Sequence, residues 1–307
     1  MATSVLESIS NEFAAAAETA GNNVVAVHAR RWLPTSGIEW KEGVIVTVHH
    51  GVRRDEEIKV TRVDGKTVTA AVAGRDPSTD LAVLRIEKGS GFRAAKFGDS
   101  TALKLGHLVL ALGRTRRAEL VASSGIVGGI SGQWKSWRGG QLDQHIRLDL
   151  ALYPGLSGGP LVNWKSEIVG VNTRGLSRGR AVTVPVATVE RVVNELLEKG
   201  HIARPYLGIA MQPVELPNSV RSQLSGQASG EGRNGLLVMH VEGGGPAEKA
   251  GVLLGDVIVE IKGKPLENLG AIQNVVSDSK IGDSIAVRLV RAGQIQPLSI
   301  TLGERSL

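Results

Sequence analysis

The segment Pro154-Gly155-Leu156-Ser157-Gly158-Gly159-Pro160 carries the most chemistry in the chain. A serine attacks a carbonyl carbon when its hydroxyl stands on a tight turn and N–H groups face the negative charge that develops. Glycines at 155, 158 and 159 permit such a turn, because they accept positive φ and let a substrate come close to the backbone. The amides of Gly155 and Ser157, flanking Leu156, are the natural donors of an oxyanion hole. The same letters also suit a plain glycine-rich hairpin, so the segment needs partners before it means anything.

Two partners stand upstream. A nucleophilic serine needs a histidine to take its proton and a carboxylate to orient that histidine. His50 follows the apolar run Val44–Val48, and Asp80 ends Asp76-Pro77-Ser78-Thr79 just before the run Leu81–Ile86. Both sit at strand ends, where a side chain can project into a cleft. The chain order His, Asp, Ser is that of chymotrypsin-like enzymes. His49 is a competing base. His28, His107, His145, His201 and His240 are isolated and read as strand or surface residues, and the chain has no cysteine. No metal site and no cofactor are expected.

The elements that must position these residues are mostly strands. The chain has 307 residues, 39 of them glycine, with short β-branched runs about ten residues apart. That length predicts two or three compact units, and the punctuation predicts a barrel or sandwich rather than a helical bundle. Val24–Val27, Val44–Val48, Ile58–Val60, Val68–Val72 and Leu81–Ile86 form one block. Leu108–Leu112, Gly125–Ile130, His145–Leu150, Gly159–Val162, Ile168–Asn172 and Ala181–Val184 form a second, interrupted by a Trp/Gly-rich loop at 131–142. Helices are predicted at 4–19 and around Val189–Leu197, the latter stopped by Gly200. Beyond a hinge near Pro205, the pattern predicts five strands and two helices, with a mobile Ser/Gly-rich loop from Ser222 to Gly235.

Three blocks in this order resemble the signatures of the HtrA/DegP serine proteases. They are Thr47-Val48-His49-His50-Gly51-Val52, the stretch from Gly74 to Ala82, and Pro154 to Asn163. Ser123-Ser124-Gly125-Ile126-Val127 is similar to a further family strand, and the resemblance runs from about Val24 to Leu302. It implies a mainly β protein: an N-terminal helical segment at 1–23, a chymotrypsin-like double β-barrel protease domain at 24–200, and a small α+β PDZ domain at 201–307. It implies His50 as general base, Asp80 as its orienter and Ser157 as nucleophile of an ATP-independent endopeptidase that degrades unfolded or misfolded proteins. Val182, Thr183 and Val184 would line the primary specificity pocket and favour small or medium aliphatic side chains. A homotrimer is implied, with residues 4–19 contributing.

The chain also departs from the family. Leu156 replaces a usual polar residue before the nucleophile, and Tyr153 a small polar one. Arg114-Thr115-Arg116-Arg117 replaces a conventional Asn-Pro-Phe-Gly loop, and the usual Gly-Ser-Gly before the histidine strand reads as Glu42-Gly43. A second function class therefore stays open: a weak or inactive protease fold acting as a PDZ-bearing chaperone.

Tyr206-Leu207-Gly208-Ile209 resembles the carboxylate-binding loop of a PDZ domain, in which consecutive amides form an anion nest for a peptide C-terminus. Leu269, Ile272 and Val276 share a helix face that would line the groove, or would pack only against its own sheet. The net charge of +6 raises nucleic acid as a partner, but no aromatic pattern accompanies the small arginine clusters, so none is expected. Residues 1–23 lack a basic leader and an apolar core, and no long apolar stretch occurs. The chain as written reads as cytoplasmic, or as periplasmic if a leader has been removed.

Overall fold

A computed structural model describes residues 4–30, 34–87, 94–177, 180–224, 234–266 and 268–304. The chain divides into two compact units, residues 1–202 and 203–307.

The first unit holds two closed barrels of antiparallel strands. Strands β1 (Val24–His28), β2 (Thr35–Lys41), β3 (Val44–Val48), β4 (Ile58–Thr61), β5 (Thr67–Asp76) and β6 (Leu81–Ile86) close in the order β1-β2-β3-β6-β5-β4. Successive side chains on a strand point to opposite faces. Val25, Val27, Ile45, Ala82 and Leu84 fill this barrel, while Val24, Val46, Leu81 and Val83 face the other way, into a larger cluster. In β1 and β3 both faces are buried, which is why these two runs are almost continuously apolar.

The second barrel begins with β7 (Leu108–Arg114) and β8 (Leu120–Ser131). A ribbon, β9 (Trp134–Lys135) with β10 (Gln141–Leu142), occupies the stretch expected to be a loop. Strands β11 (His145–Asp149), β12 (Pro160–Val162), β13 (Ile168–Thr173) and β14 (Val182–Pro185) complete the order β11-β14-β13-β12-β7-β8. Its interior holds Val109, Val127, Ile146, Leu161 and Val169.

The larger cluster lies between the barrels, where Val46 and Leu81 of the first meet Leu110, Leu112, Val171 and Val184 of the second. Two helices complete it. Helix α1 (Val5–Gly21) contributes Ala16 and Ala20, and helix α2 (Val186–Lys199) contributes Val189, Val192, Val193 and Leu196. The valines give α2 modest intrinsic helicity, so its apolar face against the barrels stabilises it. Gly200 ends it in the left-handed region at φ 80°, donating its N–H to the Leu196 carbonyl.

Strand β2 was invisible to the hydrophobic pattern. Six of its seven residues are buried, yet they include Thr35, Ser36 and Glu39. Burial pushes the Glu39 carboxyl up, and the Arg62 guanidinium, 3.0 Å from both oxygens, opposes that. Glu42-Gly43 is the turn between β2 and β3, with Gly43 at φ 76°. The Ser-Gly pair preceding the histidine strand is therefore Ser36-Gly37, within β2.

The second unit is a sheet of β16 (Ile209–Glu215), β17 (Asn234–Val241), β18 (Val257–Ile261), β20 (Ser284–Arg291) and β21 (Gln294–Thr301) in that order. Short β19 (Lys264–Pro265) pairs with β18, and β15 (Pro205–Tyr206) pairs with β22 (Gly303–Glu304). Helices α4 (Pro246–Lys249) and α5 (Leu269–Ser277) match the predicted ones. Helix α3 (Asn218–Leu224) does not: of its residues 218–223 only Val220 is buried, against Leu216, Val259 and Val290. Most of the loop expected to be mobile, residues 225–233, lies outside the described residues. No helix among the described residues is long and apolar enough to cross a membrane.

Candidate active site

The first barrel supplies a histidine and a carboxylate. Asp76 accepts from the Ser78 amide at 3.0 Å and the Thr79 hydroxyl at 2.7 Å, which folds the turn between β5 and β6. The β9–β10 ribbon clamps this turn through the Ser136 hydroxyl, 2.6 Å from the Ser78 carbonyl. Asp80 closes the turn at φ 56°, an uncommon backbone for a side chain other than glycine. His49 to Gly51 form a 3-10 turn after β3. The Asp80 carbonyl accepts the His49 amide at 2.9 Å. Its carboxylate accepts the His50 amide at 2.9 Å and meets His50 Nδ1 at 2.7 Å. Thr173, at the end of β13, donates a further hydroxyl bond to the same carboxylate. Asp80 is buried, whereas the His50 side chain is 31% exposed. An orienting carboxylate is thus shielded from water while the ring it holds reaches solvent.

His49 is arranged differently. Burial pulls its pKa down, and Nδ1 has no hydrogen-bond partner among the described residues. The Asp80 carboxylate thus selects His50 of the two histidines.

The second barrel supplies the serine on the loop into β12. Gly155 and Gly158 sit at φ 97° and 88°. A Cβ on Gly158 would collide with the Ser36 carbonyl, and one on Gly159 with the Leu112 carbonyl. The downstream side is tied to Asn172 in both directions. The Gly158 amide donates to the Asn172 carbonyl at 2.8 Å, and the Asn172 amide donates to Gly159 at 2.9 Å. From β2, the Ser36 amide and the Thr35 hydroxyl both donate to the Ser157 carbonyl, at 3.0 and 2.6 Å.

The Leu156 amide donates to the Tyr153 carbonyl at 3.1 Å, so it is not free to serve an oxyanion. The amides of Gly155 and Ser157 have no acceptor among the described residues. Leu156 itself is 1% exposed and packs with Ala111, Leu152 and Ala181. Burying a leucine contributes about 1.5–3 kcal/mol. An apolar anchor therefore holds the loop where a polar contact was expected. Tyr153, by contrast, is exposed.

The expected specificity segment is less accessible. Val182, Thr183 and Val184 are all fully buried. Val184 belongs to the inter-barrel cluster, and the Thr183 hydroxyl donates to the Asn172 side chain at 2.9 Å. Gly175, just past β13, lies beside the histidine–carboxylate pair: a Cβ there would stand 2.9 Å from His50 Nδ1. Sequence reasoning missed Thr35, Ser36, Asn172 and Thr173. Only Ser36 carried a signal, as the Ser-Gly pair ahead of the histidine strand.

The second unit presents a different loop. Gly208 is at φ 75°. The Leu207 carbonyl accepts the Ala247 amide and the Gly208 carbonyl accepts the Glu242 amide, each at 2.9 Å. In a trans peptide the N–H points opposite the C=O, so the amides of Gly208 and Ile209 turn away from those partners. Strand β16 follows at the end of the sheet order, with one edge open, and α5 lies beside β15 and β16. On α5, Ile272 is buried in the core of this unit, whereas Leu269 and Val276 are partly exposed.

Known families and structures match both units. A trypsin-like peptidase domain matches residues 35–171, and a PDZ domain matches residues 205–302. The serine protease Do-like HtrA of Bacillus subtilis is 34% identical over 88% of this chain and 63% of its own length. That of Lactobacillus helveticus is 34% identical over 85% and 65%. The chain thus spans just under two thirds of these relatives. The crystal structure of the serine endoprotease from Yersinia pestis superposes with a TM-score of 0.68 at 27% identity, covering 96% of this chain and 98% of that one. The HtrA-type protease AlgW with a decapeptide gives 0.68 at 25% identity, covering 96% and 99%.

Proposed function

We propose that this chain, a trypsin-like peptidase domain followed by one PDZ domain and related to the HtrA and DegP serine proteases, is an ATP-independent serine endopeptidase acting on unfolded or misfolded proteins. The observation that carries the reading is the Asp80–His50 pair at 2.7 Å at one end of the first barrel, together with a glycine-flanked serine on a loop of the second. Asp80 occupies Nδ1, which leaves Nε2 of His50 to take the Ser157 proton as Oγ attacks the scissile carbonyl. The oxyanion that forms is met by the amides of Gly155 and Ser157. His50 then protonates the departing amine, and water releases the acyl group by the same route in reverse. Leu156 takes no part in this chemistry, and its burial removes the main objection to an active enzyme.

The PDZ domain binds peptide C-termini. The carboxylate sits at the amides of Gly208 and Ile209, the peptide adds to the open edge of β16, and Leu269 and Val276 meet its last apolar side chain. Val5 and Leu6 of α1, 76% and 79% exposed, give the peptidase domain an apolar surface for assembly into a trimer. Sedimentation as a monomer at micromolar concentration would exclude that assembly. Relatives named as probable periplasmic endoproteases favour the cell envelope as the workplace.

The test is degradation of unfolded β-casein by the wild type and by Ser157→Ala, with and without a peptide ending in an apolar residue. Loss of casein with the wild type alone establishes the activity and its nucleophile. Survival of casein in every arm leaves a PDZ-bearing binding protein.

A further inference from the structure

The oxyanion loop is gripped by a residue outside the triad. The Gly155–Leu156 peptide is held at both ends: its N–H by Tyr153 and its C=O by the Ser36 hydroxyl at 2.6 Å. That hydroxyl also accepts the Arg114 amide at 2.8 Å. An N–H can only donate, so the Ser36 proton has one place to go, the Gly155 carbonyl. Ser36 is fully buried, so water cannot replace it. The approach depends on Gly113, where a Cβ would stand 2.7 Å from Ser36 Oγ and 2.8 Å from Leu156 Cδ2.

The grip extends outward through Arg114, which is 5% exposed. Its guanidinium donates to the carbonyls of Val24 at 2.5 Å, Ala118 at 2.5 Å and Gly21 at 2.9 Å. Gly21 is in the last turn of α1, and a cation there complements the helix dipole. Among the described residues no carboxylate pairs with it. A buried guanidinium that donates both to the α1–β1 junction and to its own β7–β8 turn is a mechanical tie between them. The loop that appeared to be a defect in the sequence supplies the tie.

We propose that Ser36 is a positioning residue of the hydrolysis, holding the Gly155 carbonyl on its own buried hydroxyl so that the amides of Gly155 and Ser157 face the substrate, and that Arg114 makes this hold depend on the docking of α1. Glycine at 155 has little conformational preference of its own. Without the hydroxyl, the 155–156 peptide keeps only the bond from its N–H to Tyr153, and the hole is lost in part of the population. The inference rests on Ser157 being the nucleophile.

The experiment measures kcat and KM on an unstructured peptide, and the inhibition constant of a peptide boronate, for wild type, Ser36→Ala, Ser36→Cys and Arg114→Met. The boronate mimics the tetrahedral state and so reports the hole, whereas KM reports ground-state binding. Ser36→Ala is expected to lower kcat by about 10- to 100-fold and weaken the boronate by a similar factor, with KM within about twofold. Ser36→Cys, which keeps a weak donor, falls between, and Arg114→Met loses about 3- to 10-fold in both. If Ser36→Ala does not fold, the other two variants carry the same comparison. Wild-type kcat and boronate affinity in the folded variants overturn the inference and leave the peptidase assignment standing. A wild type that neither hydrolyses the peptide nor binds the boronate overturns both.

Discussion

The loop around Ser157 and the loop around Gly208 are both proposed to hold negative charge with backbone amides, and they are built to opposite standards. Around Ser157, Cβ atoms at 158 and 159 would strike backbone carbonyls, and Thr35, Ser36 and Asn172 bond the loop from both barrels. At Gly208 the nearest atom to a Cβ would be Pro246 Cδ, at 3.3 Å, and two backbone bonds orient the segment. The charge explains the difference. A developing oxyanion exists only in passing, so its donors must be in place beforehand and must not relax. A peptide carboxylate is charged throughout, and a loop that adjusts around it loses little.

Substitutions can break this contrast, beginning with the chemistry itself. Ser157→Ala should reduce kcat on casein-derived peptides by at least ~10³-fold, measured by fluorogenic hydrolysis. Gly158→Ala should come next. With φ at 88° and the Ser36 carbonyl in the way, the loop must shift, at a cost of roughly 2–4 kcal/mol in unfolding free energy and about 100-fold in kcat. The matching change in the other loop, Gly208→Ala, should cost only about 1–2 kcal/mol, the backbone penalty of a left-handed alanine. Its signature is an affinity for an apolar-ended peptide reduced about 5- to 10-fold, read by fluorescence anisotropy. Equal effects of the two glycine changes would dissolve the contrast.

A smaller effect tests the support of Asp80. Thr173→Val removes one of the groups on its carboxylate and should lower kcat by about tenfold, with KM unchanged. The smallest concerns the PDZ domain alone. Burial pushes the Asp256 carboxyl up, but hydrogen bonds from Arg291 at 2.8 and 2.7 Å, the Leu253 amide and the Arg291 charge outweigh it and hold it below the usual carboxylate range. A depressed pKa stabilises the fold fully above the unfolded value, and that contribution is lost as pH falls through the folded value. Asp256→Asn should therefore cost about 1–2 kcal/mol at neutral pH, and progressively less in urea melts below pH 4.

What could be read from the sequence follows the same physics. The runs Val44–Val48, Leu81–Ile86 and Val257–Ile261 appear as the strands expected, because most of their side chains are buried and leave an apolar record. Strand β2 left none: Thr35, Ser36 and Glu39 are buried for their hydrogen bonds, and polar letters look exposed until a partner such as Arg62 is seen. His50, Asp80 and Ser157 could be nominated because triad chemistry restricts residue types and order, and the structure sets His50 on Asp80. Thr173 and Asn172 were not, since a hydroxyl or amide that steadies a neighbour can come from many positions. Leu156 was ambiguous, because a sequence cannot tell a lost polar contact from an apolar anchor packed on Leu152 and Ala181.

The central claim, that an Asp80-oriented His50 activates Ser157, is tested most directly by fluorophosphonate labelling of the native chain, with the modified residue mapped by mass spectrometry. The account predicts a single adduct on Ser157, formed at least ~10³-fold more slowly in His50→Ala. An unlabelled Ser157 in a folded chain, or labelling at the same rate without His50, would contradict it.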